Sequence, residues 1–258
     1  MRTTIVKLGG SVITRKREES SLRPKVLTRL AGEIQAGLSR PDDRVIVLHG
    51  AGSFGHPFAR KWNLSGPPAP ADRDRARGAA ITSYHVRELH QGVLKSLLDA
   101  GLDPFSLPPQ SLATNDGGRL VDFPRSRFEQ TLESGSVPVS FGDVVQDRTW
   151  GFSILSADDI ALELVRSGHI DRVVFVSDVP GILDGDKPPR PVAQLTPQLV
   201  ETLRPSPGVP DVTRGIRGKA EKMLAIAATG TPCVLLNGLS QGRLTMALQG
   251  EKVYGTWT

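Results

Sequence analysis

The chain has 258 residues, 38% hydrophobic and 23% charged, and 32 Lys+Arg against 27 Asp+Glu leave a formal net charge of +5. That suffices for one large domain or two closely joined lobes and is too balanced for a disordered chain. No apolar run reaches the ~20 residues of a membrane span, aromatics at 5% are too few for a nucleic-acid stacking surface, and the single Cys233 excludes an internal disulfide and a cysteine-built zinc site. Met1 leads directly into strand-like sequence, so a secretory signal is not expected. The expectation is a soluble, cytoplasmic protein that binds neither nucleic acid nor membrane.

Along the chain, short apolar runs alternate with longer stretches of helical spacing. A strand over Thr4–Leu8 precedes a helix over Lys25–Leu38, and a strand over Arg44–Leu48 precedes a helix over Gly78–Ala100. The Pro-rich stretch between Ser65 and Asp72 reads as a loop. A strand over Val137–Phe141 comes before a helix over Ala157–Ser167, and one over Val173–Ser177 before a helix over Lys219–Thr229; Cys233–Leu236 is a last strand. Near-continuous apolar strands are those buried on both faces of a parallel sheet, so the pattern predicts an α/β fold with a mostly parallel sheet. The expected division is an amino-terminal lobe, 1–170, and a carboxy-terminal lobe, 171–258, sharing that sheet.

Only 9 of the 32 basic residues are lysine, and several lie beside glycines. The first strand ends in Lys7-Leu8-Gly9-Gly10-Ser11, with Lys16 close behind. Adjacent glycines let backbone N–H groups approach a ligand at the strand end, where open α/β sheets bind their ligands. An ordinary strand-to-helix turn with a surface lysine accounts for the same residues. The second strand ends in His49-Gly50-Ala51-Gly52-Ser53-Phe54-Gly55-His56. This matches the glycine spacing of a dinucleotide fingerprint, and so admits a nicotinamide enzyme, but no acidic residue ends a second strand about 20 positions on. It reads better as a phosphate cradle, with His56 either a donor to a phosphate or merely solvated. A third stretch, Asp211 to Lys219, presents Lys219 behind glycines at a helix start; it lacks the Walker spacing and the Ser/Thr after the lysine. Ser156-Ala157-Asp158-Asp159 opens a helix, where either aspartate is an N-cap or a site residue. Asp178 in Ser177-Asp178-Val179-Pro180-Gly181-Ile182 is a turn residue or part of a loop over a nucleotide.

Taken in order, these motifs resemble the amino acid kinase superfamily over essentially the whole chain, and the first two resemble its isopentenyl phosphate kinase branch. Three positions depart from that branch: Ala157 and Arg214 stand where its members usually carry glycine, and Ile216 where they usually carry methionine. The resemblance implies a three-layer αβα sandwich, a homodimer, and transfer of a phosphoryl group from ATP to isopentenyl phosphate. It implies Lys7 at the transferring phosphoryl, Lys16 and Lys219 on the β- and γ-phosphates, and Asp158 between Lys7 and Lys219. Gly9, Gly10, Ser11, Gly52, Asp178, Gly181 and Gly215 fall to the nucleotide, and Ala51, Gly52, His56 and Ala157 to the substrate phosphate. The amino-terminal lobe would then hold the acceptor and the catalytic glycine loops and the carboxy-terminal lobe ATP, with Mg²⁺ on ATP oxygens and water rather than on protein ligands. A kinase of another small phosphate or phosphonate, such as fosfomycin, and a non-catalytic oxyanion-binding protein fit the same motifs. An apolar tail pocket is expected, walled by the stripe Val86, Leu89, Val93 and Leu97 of the helix over Gly78–Ala100, with Ile81 and Tyr84 near its start. Packing on the sheet accounts for most of those apolar positions.

Overall fold

The computed structural model describes residues 2–15, 18–69, 72–167, 169–183, 190–203 and 215–258. In chain order the elements are β1 (Arg2–Leu8), α1 (Gly10–Ile13), α2 (Pro24–Gly37), β2 (Asp43–His49), α3 (Gly52–Lys61), α4 (Arg75–Asp99), β3 (Pro104–Ser106), β4 (Thr114–Asp116), β5 (Arg119–Asp122) and α5 (Arg125–Glu133). There follow β6 (Val137–Phe141), β7 (Asp143–Asp147), β8 (Gly151–Leu155), α6 (Ala157–Val165), β9 (Arg172–Ser177), α7 (Pro197–Thr202), α8 (Gly215–Ala227), β10 (Cys233–Asn237), α9 (Arg243–Gln249) and β11 (Gly255–Trp257).

Seven strands form the main sheet in the order β11-β10-β9-β1-β2-β6-β3, parallel throughout except for β11. The five strands expected from sequence are its five central members. Their side chains alternate between two apolar layers, as period-two geometry requires. Val6 and Leu8 of β1 pack with Leu30 of α2, Val93 of α4 and Leu244 of α9. Ile5, Ile46 and Phe175 pack on the other face with Phe128 of α5, Ile160 of α6 and Met223 of α8. The result is an αβα sandwich, as the resemblance implies. Later strands join on one side of β1 and earlier ones on the other, so the order reverses between β1 and β9. At such a reversal neighbouring loops leave on opposite faces and open a crevice at the carboxyl ends of the strands.

A second, four-stranded sheet, β5-β4-β7-β8, takes two strands from before α5 and two from between β6 and α6 in sequence. Asp147 pins it: its carboxylate accepts from the N–H groups of Gly117, Gly118, Thr149 and Trp150 and from Ser153 Oγ, at 2.7–3.0 Å. Burial works against this charge, but the hydrogen bonds from Trp150, Gly118, Ser153 and Gly117 outweigh it and hold the Asp147 pKa down at about 2.

Candidate active site

Because β1 alternates, Lys7 projects on the same face as Ile5, towards α6 and α8. Its Nζ lies 2.7 Å from one carboxylate oxygen of Asp158, the second residue of α6. The other oxygen accepts from Lys219 Nζ at 2.8 Å. One carboxylate thus holds two ammonium groups, drawn from opposite ends of the sequence, side by side at the crevice floor. Lys219 also lies over the Phe175 ring, 5.2 Å from its centroid. Burial lowers the Lys7 pKa to about 8, more than Asp158 restores, and the neighbouring Lys219 lowers it further. For Asp158 burial acts in the opposite sense, yet the two lysines outweigh it and keep the carboxyl well below the usual range.

Neither aspartate of α6 is the N-cap. Ser156 is: its Oγ accepts from Asp159 N and donates to the Asp159 carboxylate, a reciprocal cap that leaves Asp158 free to face the lysines. Asp159 pairs in addition with Lys222. Lys219 sits in the second turn of α8, which begins at Gly215, so it is not at a helix start as the glycine spacing suggests. Lys16 and the stretch Asp211–Arg214 lie outside the described residues.

The two glycine segments touch. Gly9 N donates to Val176 O at 2.7 Å, and Gly50 N to Leu8 O at 2.9 Å. Thr14, fully buried, ties them: Oγ1 donates to Gly10 O at 2.7 Å and accepts from Ser53 N at 3.1 Å. Ser11 Oγ donates to Asp178 at 2.6 Å, linking the first segment to the loop after β9. Gly181 is buried against Thr256 of β11, whose Oγ1 lies 2.5 Å from where a Cβ would stand.

The second segment is not a loop but the start of α3, with Gly52 as first residue and Gly55, His56 and Pro57 inside it. Pro57 has no N–H to give Ser53 O, four residues back. Ser20 N takes that carbonyl at 3.2 Å, and the helix passes through its proline with the acceptor satisfied.

A cavity of about 100 Å³ opens above the lysines. Lys7, Asp158 and Lys219 line it together with Ala51, His56 and Ala157, and Ala59, Val86 and Ile154 contribute apolar side chains. Of the helix residues expected there Val86 lines it, joined by Thr82; Ile81 and Tyr84 do not, and Tyr84 is 63% exposed. It missed Asp143, a wall residue at the start of β7 whose carboxylate meets Arg87 at 3.1 Å. Burial raises the Asp143 pKa to about 6 even with that guanidinium beside it. Among the described residues no group of three or more His, Cys, Asp or Glu is placed to hold a metal ion, and no helix is long and apolar enough to cross a membrane.

Residues 2–237 match the model of the amino acid kinase family. The chain is 36% identical to the isopentenyl phosphate kinase of Methanothermobacter thermautotrophicus, over 98% of this chain and 97% of that one. It is 33% identical to the isopentenyl phosphate kinase of Thermoplasma acidophilum, over 91% of each. An X-ray structure of an isopentenyl phosphate kinase superposes with a TM-score of 0.86 at 31% identity, covering all of both chains. By that match over most of its length and these identities, the chain belongs to the amino acid kinase family, in its isopentenyl phosphate kinase branch.

Proposed function

We propose that the chain transfers the γ-phosphoryl of ATP to isopentenyl phosphate, giving isopentenyl diphosphate and ADP. The observation that carries this reading is the pair of ammonium groups held on Asp158 beneath a cavity lined by charged and apolar side chains. A phosphate oxygen of the acceptor forms the new bond to the γ-phosphorus as the bond to the β,γ-bridging oxygen breaks. With a second phosphate pKa near ~6, the acceptor is largely ionised at neutral pH and needs no general base. The barrier is bringing two polyanions together, so catalysis falls to positioning and charge neutralisation.

In this scheme Lys7 stabilises the phosphoryl in flight, and Lys219 and Lys16 hold the β- and γ-phosphates. Asp158 keeps two like charges at a fixed separation before substrate arrives, so that little reorganisation is left for the reaction. Backbone amides of Gly10, Ser11 and Gly52 face the nucleotide, with Asp178, Gly181 and Gly215 at its border. The Gly9 N–H expected beside them is instead taken by Val176 O, and Gly9 serves there by its lack of a side chain, since a Cβ would stand 2.7 Å from that carbonyl oxygen. Ala51, Gly52 and Ala157 amides and the His56 ring take the acceptor phosphate; an alanine at 157 serves as well as a glycine where only its N–H is used. Mg²⁺ enters on ATP, bound by phosphate oxygens and water. Residues 1–170 hold the acceptor and the catalytic glycine segments and 171–258 bind the rest of the nucleotide, in a cytoplasmic homodimer.

The test is ADP release with MgATP and isopentenyl phosphate, beside isopentenol, dimethylallyl phosphate and fosfomycin. Turnover of isopentenyl phosphate with the alcohol inert is expected. Preference for fosfomycin would move the assignment to a phosphonate kinase, and ATP binding without turnover of any of them would leave a nucleotide-binding protein.

A further inference from the structure

Phosphoryl transfer makes no use of two buried histidines directly behind the second glycine segment. His49 ends β2 and His90 lies on α4; the two are 0% and 2% exposed. His49 Nε2 is 3.0 Å from His90 Nδ1, and His90 Nε2 is 2.7 Å from Ser106 Oγ on β3. At the other end His49 Nδ1 is 3.2 Å from Gly50 O. The Phe141 ring stacks near both imidazoles, at 5.1 and 4.2 Å between centroids, and fixes their planes.

This chain of contacts has only one consistent arrangement of protons. A carbonyl oxygen only accepts, so His49 Nδ1 carries the hydrogen and donates to Gly50 O. Burial holds both rings neutral, with the nearby Lys7 and Arg87 charges acting the same way on His49 and His90 respectively. The neutral His49 therefore offers a lone pair at Nε2, and His90 Nδ1 must supply the hydrogen. His90 Nε2 is then an acceptor, and the Ser106 hydroxyl donates to it. Every proton from Ser106 to Gly50 points the same way.

We propose that His49 and His90 are positioning residues that orient the phosphate-binding backbone of the acceptor site. The carbonyl of Gly50 and the N–H of Ala51 belong to one planar peptide group and point in opposite directions. Drawing the carbonyl towards His49 turns the Ala51 N–H away from it, and Ala51 lines the same cavity as Lys7 and Lys219. Gly142 N, beside Asp143 on the cavity wall, donates to His49 O at 2.9 Å, so the same residue also anchors the opposite side of the pocket. The inference rests on the reading of Ala51 as a contact of the acceptor phosphate.

Two measurements test it. The protein has 5 histidines; in a long-range ¹H–¹⁵N spectrum of ¹⁵N-histidine protein, two rings should stay neutral between about pH 5 and 8, both protonated at Nδ1. A buried ring in the Nε2–H form, or titration of both within that range, overturns the proton chain. In kinetics, His90→Leu should raise KM for isopentenyl phosphate ~10-fold and leave KM for ATP within about twofold, the scale of one misdirected hydrogen bond to a charged group. His90→Asn, whose amide nitrogen stands near the place of Nδ1, should recover most of that loss. Equal KM values for the Leu and Asn variants, or parallel rises for both substrates, overturn the positioning role. The spectrum is taken without substrate, so failure of the wild-type protein to turn over isopentenyl phosphate would overturn the acceptor assignment and leave the proton chain to be judged separately.

Discussion

A Cβ built on Gly10 would stand 2.3 Å from the backbone nitrogen of Gly52, so the two glycine segments meet with no room for a side chain between them. Gly52 itself has φ +51, and a Cβ there would stand 2.3 Å from Thr14 Oγ1. Gly10→Ala must therefore push two backbones apart rather than displace a flexible side chain. The expected result is a loss of at least ~10² in kcat/KM, the scale of a misplacement of about 1 Å among reacting groups, at a cost of about 1–3 kcal/mol in stability. Thr14→Val makes the complementary test. It keeps the shape, leaves Ser53 N without its acceptor while Gly10 O keeps the bond from Thr14 N, and should cost about 1–3 kcal/mol, with Thr14→Ser restoring most of it. Thermal unfolding beside steady-state kinetics checks both variants.

Lys7 sets a limb of the pH profile. Its ammonium form is the one that neutralises phosphate charge, and its pKa in the free protein is lowered to about 8 by burial. The ratio kcat/KM reports the free enzyme, so it should fall as pH rises through about 8. Lys7→Arg, which keeps the charge at every accessible pH, should abolish that limb while its altered geometry lowers the plateau. Lys7→Ala should lower kcat by about 10²–10³, as for loss of one transition-state donor. Stability moves in the other sense. Between about 8 and the ordinary lysine value of 10.5 the unfolded chain binds the extra proton, so Lys7's own contribution to stability rises with pH across that window.

His56 separates the two substrates. It lines the cavity assigned to the acceptor. His56→Ala should raise KM for isopentenyl phosphate by ~10-fold or more, the scale of a hydrogen bond to a charged group, with KM for ATP little changed. Equal changes in the two constants, or none, would remove the ring from acceptor recognition.

What the sequence revealed, and what it hid, follows from local physics. The five central strands are buried on both faces, so each reads as an unbroken apolar run. The strands β3, β4 and β11 span three residues each, and β5 is largely exposed; neither kind leaves a pattern long enough to read. The helix α3 is rich in residues that helices disfavour, Gly52, Gly55 and Pro57, and forms because Thr14 and Ser20 satisfy the backbone groups at its start. Lys7, Asp158 and Lys219 stood out through neighbouring glycines and a capping signal, and the fold brings the three together. Thr14, Asp143 and the Ser11–Asp178 contact carry no local signature, since each acts through a partner distant in the chain. The Tyr84 error was one of phase: on α4, Thr82 and Val86 are one turn apart on the face towards the cavity, and Tyr84 lies on the opposite side.

Asp147 tests how the small sheet supports the pocket. Its five hydrogen bonds hold together the turn at Gly117–Gly118 and the hairpin of β7 and β8. That hairpin carries two cavity residues, Asp143 and Ile154. An amide at position 147 cannot accept from both sides, because one of its heads is itself a donor facing N–H or O–H groups. Asp147→Asn should therefore cost about 2–3 kcal/mol and lower Tm by ~5 °C or more. The folded pKa, about 2, lies below the ordinary 3.8. The charge therefore stabilises above 3.8, and this contribution, about 2 kcal/mol, is lost as pH falls towards 2. The gap in Tm between wild type and Asp147→Asn should narrow over that interval and hold steady above it. A loosened hairpin moves one wall of the cavity and neither lysine, so KM for the acceptor should rise more than kcat falls. A constant Tm gap down to pH 2 would mean that the carboxylate's charge is not what secures the sheet.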